Sequence, residues 1–166
     1  MTDLELTRTP GDRRLYELKG AGTLRLEGWL SRSATAEAGD RRWQIARSGF
    51  FTAVIKATDA SSGTVAGEFH GRSLRSGGTL RWDGRELELH KSSIWRERYA
   101  LIHGERELAT IEGKGWGKRP VKVSIDDAAS VEPGLALFAS FVVRALAEDA
   151  GAAAGGAAAS SGAVSG

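Results

Sequence analysis

Pro133-Gly134-Leu135-Ala136-Leu137-Phe138-Ala139-Ser140-Phe141-Val142-Val143-Arg144-Ala145-Leu146-Ala147 is the stretch that constrains the rest of the chain. After Gly134 only Ser140 and Arg144 carry polar side chains, so no loop reads this way. The run from Leu135 is longer than an ordinary strand. Pro133 suits the first position of a helix, and Asp126, Asp127 and Glu132 put negative charge ahead of its positive end. A helix over Leu135–Ala147 rises only about 20 Å, short of a hydrocarbon core of about 30 Å, and Arg144 shortens the apolar run further. A helix that is apolar all round must be enclosed by something. The enclosure has to come from the residues before it.

Those residues read as short strands. Thr79-Leu80-Arg81-Trp82-Asp83-Gly84-Arg85-Glu86-Leu87-Glu88-Leu89-His90 carries Asp-Gly, a strong signal for a two-residue type I′ hairpin, because both turn positions need positive φ. That register sets Trp82 opposite Arg85 and Leu80 opposite Leu87. Leu80, Trp82, Leu87 and Leu89 then share one face, and Arg81 pairs with Glu86 on the other. The same plan recurs nearby. Trp43–Ala46 precedes the Ser48-Gly49 break. Residues 52–57 and 64–69 flank Asp59-Ala60-Ser61-Ser62-Gly63, and 98–103 and 106–112 flank Gly104-Glu105, with Leu101 expected opposite Leu108. Residues 15–18 and 23–30 and Val121-Lys122-Val123 add further strands. The expected fold is mainly β: a closed antiparallel β-barrel of about 10–12 strands around a hydrophobic C-terminal α-helix.

This layout resembles the tubby C-terminal-like superfamily, which includes the LURP-one-related proteins and the phospholipid scramblases. The resemblance rests on the paired hairpins at 53–69, 79–90 and 99–112, including Glu107-Leu108-Ala109-Thr110-Ile111, then Val121-Lys122-Val123 and Leu135–Leu146. It covers roughly residues 15–147. The resemblance implies a barrel threaded by the C-terminal helix. Animal tubby domains bind phosphoinositides through surface Lys and Arg, which implies an anionic lipid as ligand here. The chain departs from the scramblases in having no cysteine to palmitoylate. Its Ser124-Ile125-Asp126-Asp127 offers adjacent acids instead of the alternating oxygen ligands of a calcium loop.

Charge is distributed unevenly. The whole chain carries +2, but residues 41–124 hold a net +7, between a start of −1 and an end of −4. Within that middle, Lys114-Gly115-Trp116-Gly117-Lys118-Arg119-Pro120-Val121-Lys122 has four bases and no acid. Its glycines expose backbone N–H groups to anions, and a tryptophan suits a headgroup interface. Lys114, Trp116, Lys118, Arg119 and Lys122 are therefore the candidate anionic lipid-binding residues. The competing reading is a solvated loop whose tryptophan packs under the barrel rim. Arg41, Arg42, Arg47 and Lys56 form a second basic group that a barrel could bring to the same place.

Catalytic patterns are missing from the sequence. There is no cysteine, no G-x-S-x-G elbow, no P-loop spacing and no dinucleotide fingerprint. His70, His90 and His103 show no local metal-ligand spacing. No cofactor or metal is expected, and the reading is a non-catalytic binding module. The alternative is a scaffold that binds another polypeptide through the barrel rim. Nucleic acid is the weaker polyanion, because the tryptophans are scattered and no recognition motif is present. Residues 1–147 are expected to form a single domain and 148–166, rich in Ala, Gly and Ser, a flexible tail. The charged start is no signal peptide, so a cytoplasmic location, peripheral at a membrane, is expected.

Overall fold

The computed structural model describes residues 1–28, 31–49, 53–72, 77–114, 116 and 119–161, with backbone alone over 152–161. It is a closed antiparallel barrel of twelve strands with one C-terminal helix. In chain order the strands are β1 (Thr2–Arg8), β2 (Leu15–Leu18), β3 (Gly22–Glu27), β4 (Ser33–Ala38), β5 (Arg41–Ser48) and β6 (Val54–Asp59). They continue with β7 (Val65–Gly71), β8 (Gly77–Trp82), β9 (Arg85–Ser93), β10 (Arg98–His103), β11 (Arg106–Glu112) and β12 (Val121–Ile125), before the helix α1 (Pro133–Ser161). Each strand pairs with its neighbour in the chain. β1 closes the ring on β12 through Leu4 opposite Val123 and Leu6 opposite Val121. Closure leaves no edge strand with unpaired backbone groups.

The helix lies inside the ring. It contacts β3, β4, β7 and β11, which stand on different sides of the barrel. Every residue from Leu135 to Val143 is buried, Ser140 included. The Ser140 hydroxyl donates to the Ala136 carbonyl at 2.7 Å, so the one polar side chain in that run is satisfied within the helix. The strands alternate to match: Leu80, Trp82, Leu87 and Leu89 face inward, while Arg81 and Glu86 face out at 3.7 Å. Asp83 (φ 44°) and Gly84 (φ 81°) make the turn with both central residues at positive φ. At the helix start, a side chain on Gly134 would sit 2.6 Å from the Trp43 ring and 2.8 Å from that of Trp82, so only glycine fits there.

The structure departs from the sequence expectations at four points. Leu101 pairs with Ala109, not Leu108, because a bulge between Leu101 and Ile102 shifts the register by one residue. β1 and β4 have no counterpart among the expected strands. β4 is Ser-Ala-Thr-Ala-Glu-Ala, a composition poor in β-formers, yet Ala34 and Ala36 point inward where the helix makes its most extensive approach. Small side chains there let a helix backbone lie close to the wall. The helix also runs past residue 147. Glu148 takes a 2.7 Å contact from Arg144 and Asp149 a 2.5 Å contact from Arg47 of β5. Finally, Glu132 does not serve the helix dipole alone: its carboxylate accepts the Trp82 indole N–H and lies 3.8 Å from Arg85.

One turn has a measurable acid signature. The Asp59 carboxylate accepts the Ser61 hydroxyl at 2.6 Å, the Ser61 N–H at 2.8 Å and the Ser62 N–H at 3.2 Å. These bonds, that of the Ser61 hydroxyl foremost, hold its pKa down at about 2. A carboxylate depressed in the folded state stabilises fully above its unfolded value of about 3.9, and that contribution disappears as pH falls through the folded value. Asp59 should therefore remain ionised at about pH 3, where most carboxyls have begun to protonate. A side-chain carboxyl NMR titration checks this, and a midpoint near 4 would mean the serine bonds are not formed in solution.

Candidate functional site

In an up-and-down barrel, successive connections alternate between the two ends. The helix enters at one end, from the segment after β12, and emerges at the other beside the β11–β12 connection. The β1–β2, β9–β10 and β11–β12 connections meet at this exit end.

Bases are matched by acids at both ends, Arg98 by Glu112 at 3.2 Å and Arg72 by Glu88 at 3.5 Å at the exit, but the exit end also holds a larger unmatched group among the described residues. At the entry end the arginines face carboxylates: Arg41 lies 3.6 Å from Asp59, Arg42 2.6 Å from Glu37 and Arg106 3.1 Å from Asp127. At the exit end Arg8, Arg13, Arg96, Lys114 and Arg119 have no carboxylate within ion-pair distance among the described residues. Arg8, Arg13 and Arg119 line one cleft of about 350 Å³ together with Thr7, Thr9, Pro10, Gly11 and Asp12. Asp12 adds one negative charge to this lining, paired with Arg25 at 2.9 Å. Its carboxylate accepts the Arg14 N–H at 3.0 Å and a 2.9 Å bond from Arg25, and these, the Arg14 N–H first, hold its pKa below the usual carboxylate value. The cleft is thus lined by three arginines and two threonines against one carboxylate, a net positive set that suits a phosphate or another oxyanion.

The candidate lipid-binding residues fall unevenly around this cleft. Arg119 lines it, and Lys114 stands on the neighbouring β11–β12 connection, donating from Nζ to the Trp95 carbonyl at 3.2 Å. Lys118 lies outside the described residues. Lys122 is exposed on the outer wall of β12, opposite Glu5 of β1. Trp116 turns inward. Its ring meets Tyr16 edge-on at 5.0 Å and lies under the Arg144 guanidinium at 5.6 Å, packed against the core. It closes the exit end of the barrel as a plug. Of the second basic group, Arg41 and Arg42 stand at the entry end, Lys56 on the wall, and Arg47 is taken up by Asp149.

No match to this chain is found among protein-family models, curated proteins or solved structures.

Several other titratable groups have partners within the protein. Arg144, the one charge in the apolar helix, pairs with Glu148 one turn on and stacks over Trp116. Burial pushes the Glu148 carboxyl up despite the nearby Arg144 and Arg47. Burial likewise pushes the Tyr99 phenol up to about 12, and its hydroxyl has no partner among the described residues. His70 and His90 each contact a glutamate on their own strand, Glu68 and Glu88, at 2.5 Å. No three metal-ligating side chains come together among the described residues. No described helix is long and apolar enough to cross a membrane.

Sequence reasoning misses Arg8, Arg13, Ile94 and Trp95. The signal exists in principle, because counting strands tells which turns share an end. With β1 and β4 unrecognised that count is wrong, and the β1–β2 connection cannot be assigned to the same end as Lys114 and Arg119.

Proposed function

We propose that the protein is a non-catalytic binding module that docks reversibly on anionic phospholipid headgroups through the exit end of its barrel. The observation that carries this reading is the group of exit-end bases, Arg8, Arg13, Arg96, Lys114 and Arg119, that have no carboxylate within ion-pair distance among the described residues, three of them lining one cleft. The resemblance to tubby-like domains, some of which bind phosphoinositides, supports the same choice of ligand. The helix fills the barrel interior, so a surface is the natural place for a ligand and a carrier role for an apolar cargo is disfavoured.

Each base near an anionic surface contributes about 1 kcal/mol. Replacing Arg13, Lys114 and Arg119 together by glutamine should then cost about 3 kcal/mol, more than a hundredfold in affinity. Liposome co-sedimentation, comparing neutral with phosphoinositide-containing vesicles at low and physiological salt, is the test. Binding confined to anionic vesicles, weakened by salt and lost in the triple variant without a fall in melting temperature, is expected. If the wild-type chain stays in the supernatant with every vesicle, the proposal is wrong.

A further inference from the structure

Two large apolar side chains stand in water at the exit end. Ile94 is 79% exposed and Trp95 is 90% exposed, both in the turn between β9 and β10. Trp43 and Trp82, by contrast, are buried and Trp116 is packed against the core. An exposed apolar residue alone is ordinary, but an adjacent pair at the tip of a turn, beside Arg96 and Lys114, is a different object.

The turn is braced from below. The Gly113 N–H donates to the Glu97 carbonyl at 2.7 Å, and Lys114 donates to the Trp95 carbonyl. The Arg96 N–H donates to the Ser93 hydroxyl at 3.3 Å, and the Ser92 hydroxyl to the Arg98 carbonyl at 3.2 Å. The Trp95 and Glu97 carbonyls and the Arg96 N–H of the turn thus have partners in the protein. Leaving water therefore costs this turn less than it would an open loop. The Lys114 bond also ties the apolar tip to the basic connection beside it.

We infer that Ile94 and Trp95 are an apolar anchor that enters the headgroup layer of an anionic bilayer, while Arg96, Lys114 and Arg119 meet the phosphates around it. This rests on the docking function proposed above and adds penetration to it. The charge around the tip favours a bilayer over a polypeptide surface as the occupant. Arg96 within the turn and Lys114 bonded to it flank the apolar pair, Lys91 turns its ammonium over the Tyr99 ring at 6.0 Å, Arg98 is matched by Glu112 at 3.2 Å, and Glu97 is the one acid within the turn itself. Tryptophan is also the side chain most at home where headgroups meet acyl chains.

The test uses the full chain with phosphatidylcholine–phosphatidylserine vesicles whose acyl chains are brominated near the headgroup. Emission of the wild type minus that of Trp95→Phe isolates Trp95. It should shift to the blue and be quenched by bromine when the protein is bound. The Ile94→Asp, Trp95→Asp double variant, folded by circular dichroism, should still bind at low salt but lose at least about tenfold in affinity at physiological salt, where charge alone is screened. Bound protein with Trp95 unquenched overturns the anchor and leaves docking standing. No binding by the wild type removes both. Self-association in sedimentation velocity that disappears in the double variant, with no quenching, would assign the tip to a second copy of the chain and overturn the anchor.

Discussion

Trp82→Ala should lower the stability of the barrel by about 3–5 kcal/mol, the range for deleting a buried aromatic side chain. The indole is fully buried. It stacks on Phe138 of the helix at 5.6 Å, leans on Trp43 of β5 at 5.6 Å and donates its N–H to Glu132. It thereby joins the wall to the helix at the point where the helix enters. Truncation would open a cavity that Gly134, with no side chain, cannot fill, and would leave the Glu132 carboxylate without its indole donor. For a domain of this size each kcal/mol moves the melting temperature by about 2–4 °C, so a fall of about 6–20 °C is expected. Trp82→Phe keeps the stacking and loses the indole donor, and should fall between wild type and alanine. A thermal melt that moves by less than about 2 °C would mean the indole does not bridge helix and wall.

Ala139→Asp is expected to remove most of the fold's stability at neutral pH. Ala139 sits in the middle of the enclosed helix with no exposed surface. A carboxyl forced into such a site has its pKa raised by up to about 3–5 units, so at pH 7 it must protonate, which costs about 4 kcal/mol relative to its unfolded pKa of about 3.9, and overpacking adds about 1–3 kcal/mol. A whole domain is commonly stable by only about 5–15 kcal/mol, so this one substitution consumes much of the margin. Val65→Asp puts the same group on a half-exposed wall position and should cost less than about 1 kcal/mol. Soluble yield and circular dichroism at pH 7 distinguish the two. A well-folded Ala139→Asp protein would show that the helix lies on the outside of the barrel.

These two experiments bear on the part of the fold that is legible from residues alone. An apolar run interrupted only by Ser140 before Arg144 demands an enclosure, and Asp83-Gly84 with alternating flanks specifies one hairpin to the residue. Both statements depend on local periodicity and local turn chemistry, which act within about a dozen residues. The bulge between Leu101 and Ile102 is not legible, because the extra residue is accommodated by the sheet around it and not by any turn signal.

β4 and the candidate site are decided at longer range. Ser33–Ala38 becomes a strand because two strands flank it and a helix needs small residues at its side, not because its own residues favour extension. The local excess of bases around Lys114 and Arg119 is visible along the chain, and so is a tryptophan among them. Which tryptophan faces water is not: Trp116, beside those bases in sequence, plugs the barrel, while Trp95 stands exposed next to Lys114 in space. Sequence by itself determined a strand-rich wall, a helix that must be buried and a chain segment with surplus positive charge. Beyond local pairs such as Arg81–Glu86, only the folded barrel decided which bases find a carboxylate and which are left over. Pairing depends on which turns share an end, and that follows from the number and register of all twelve strands together.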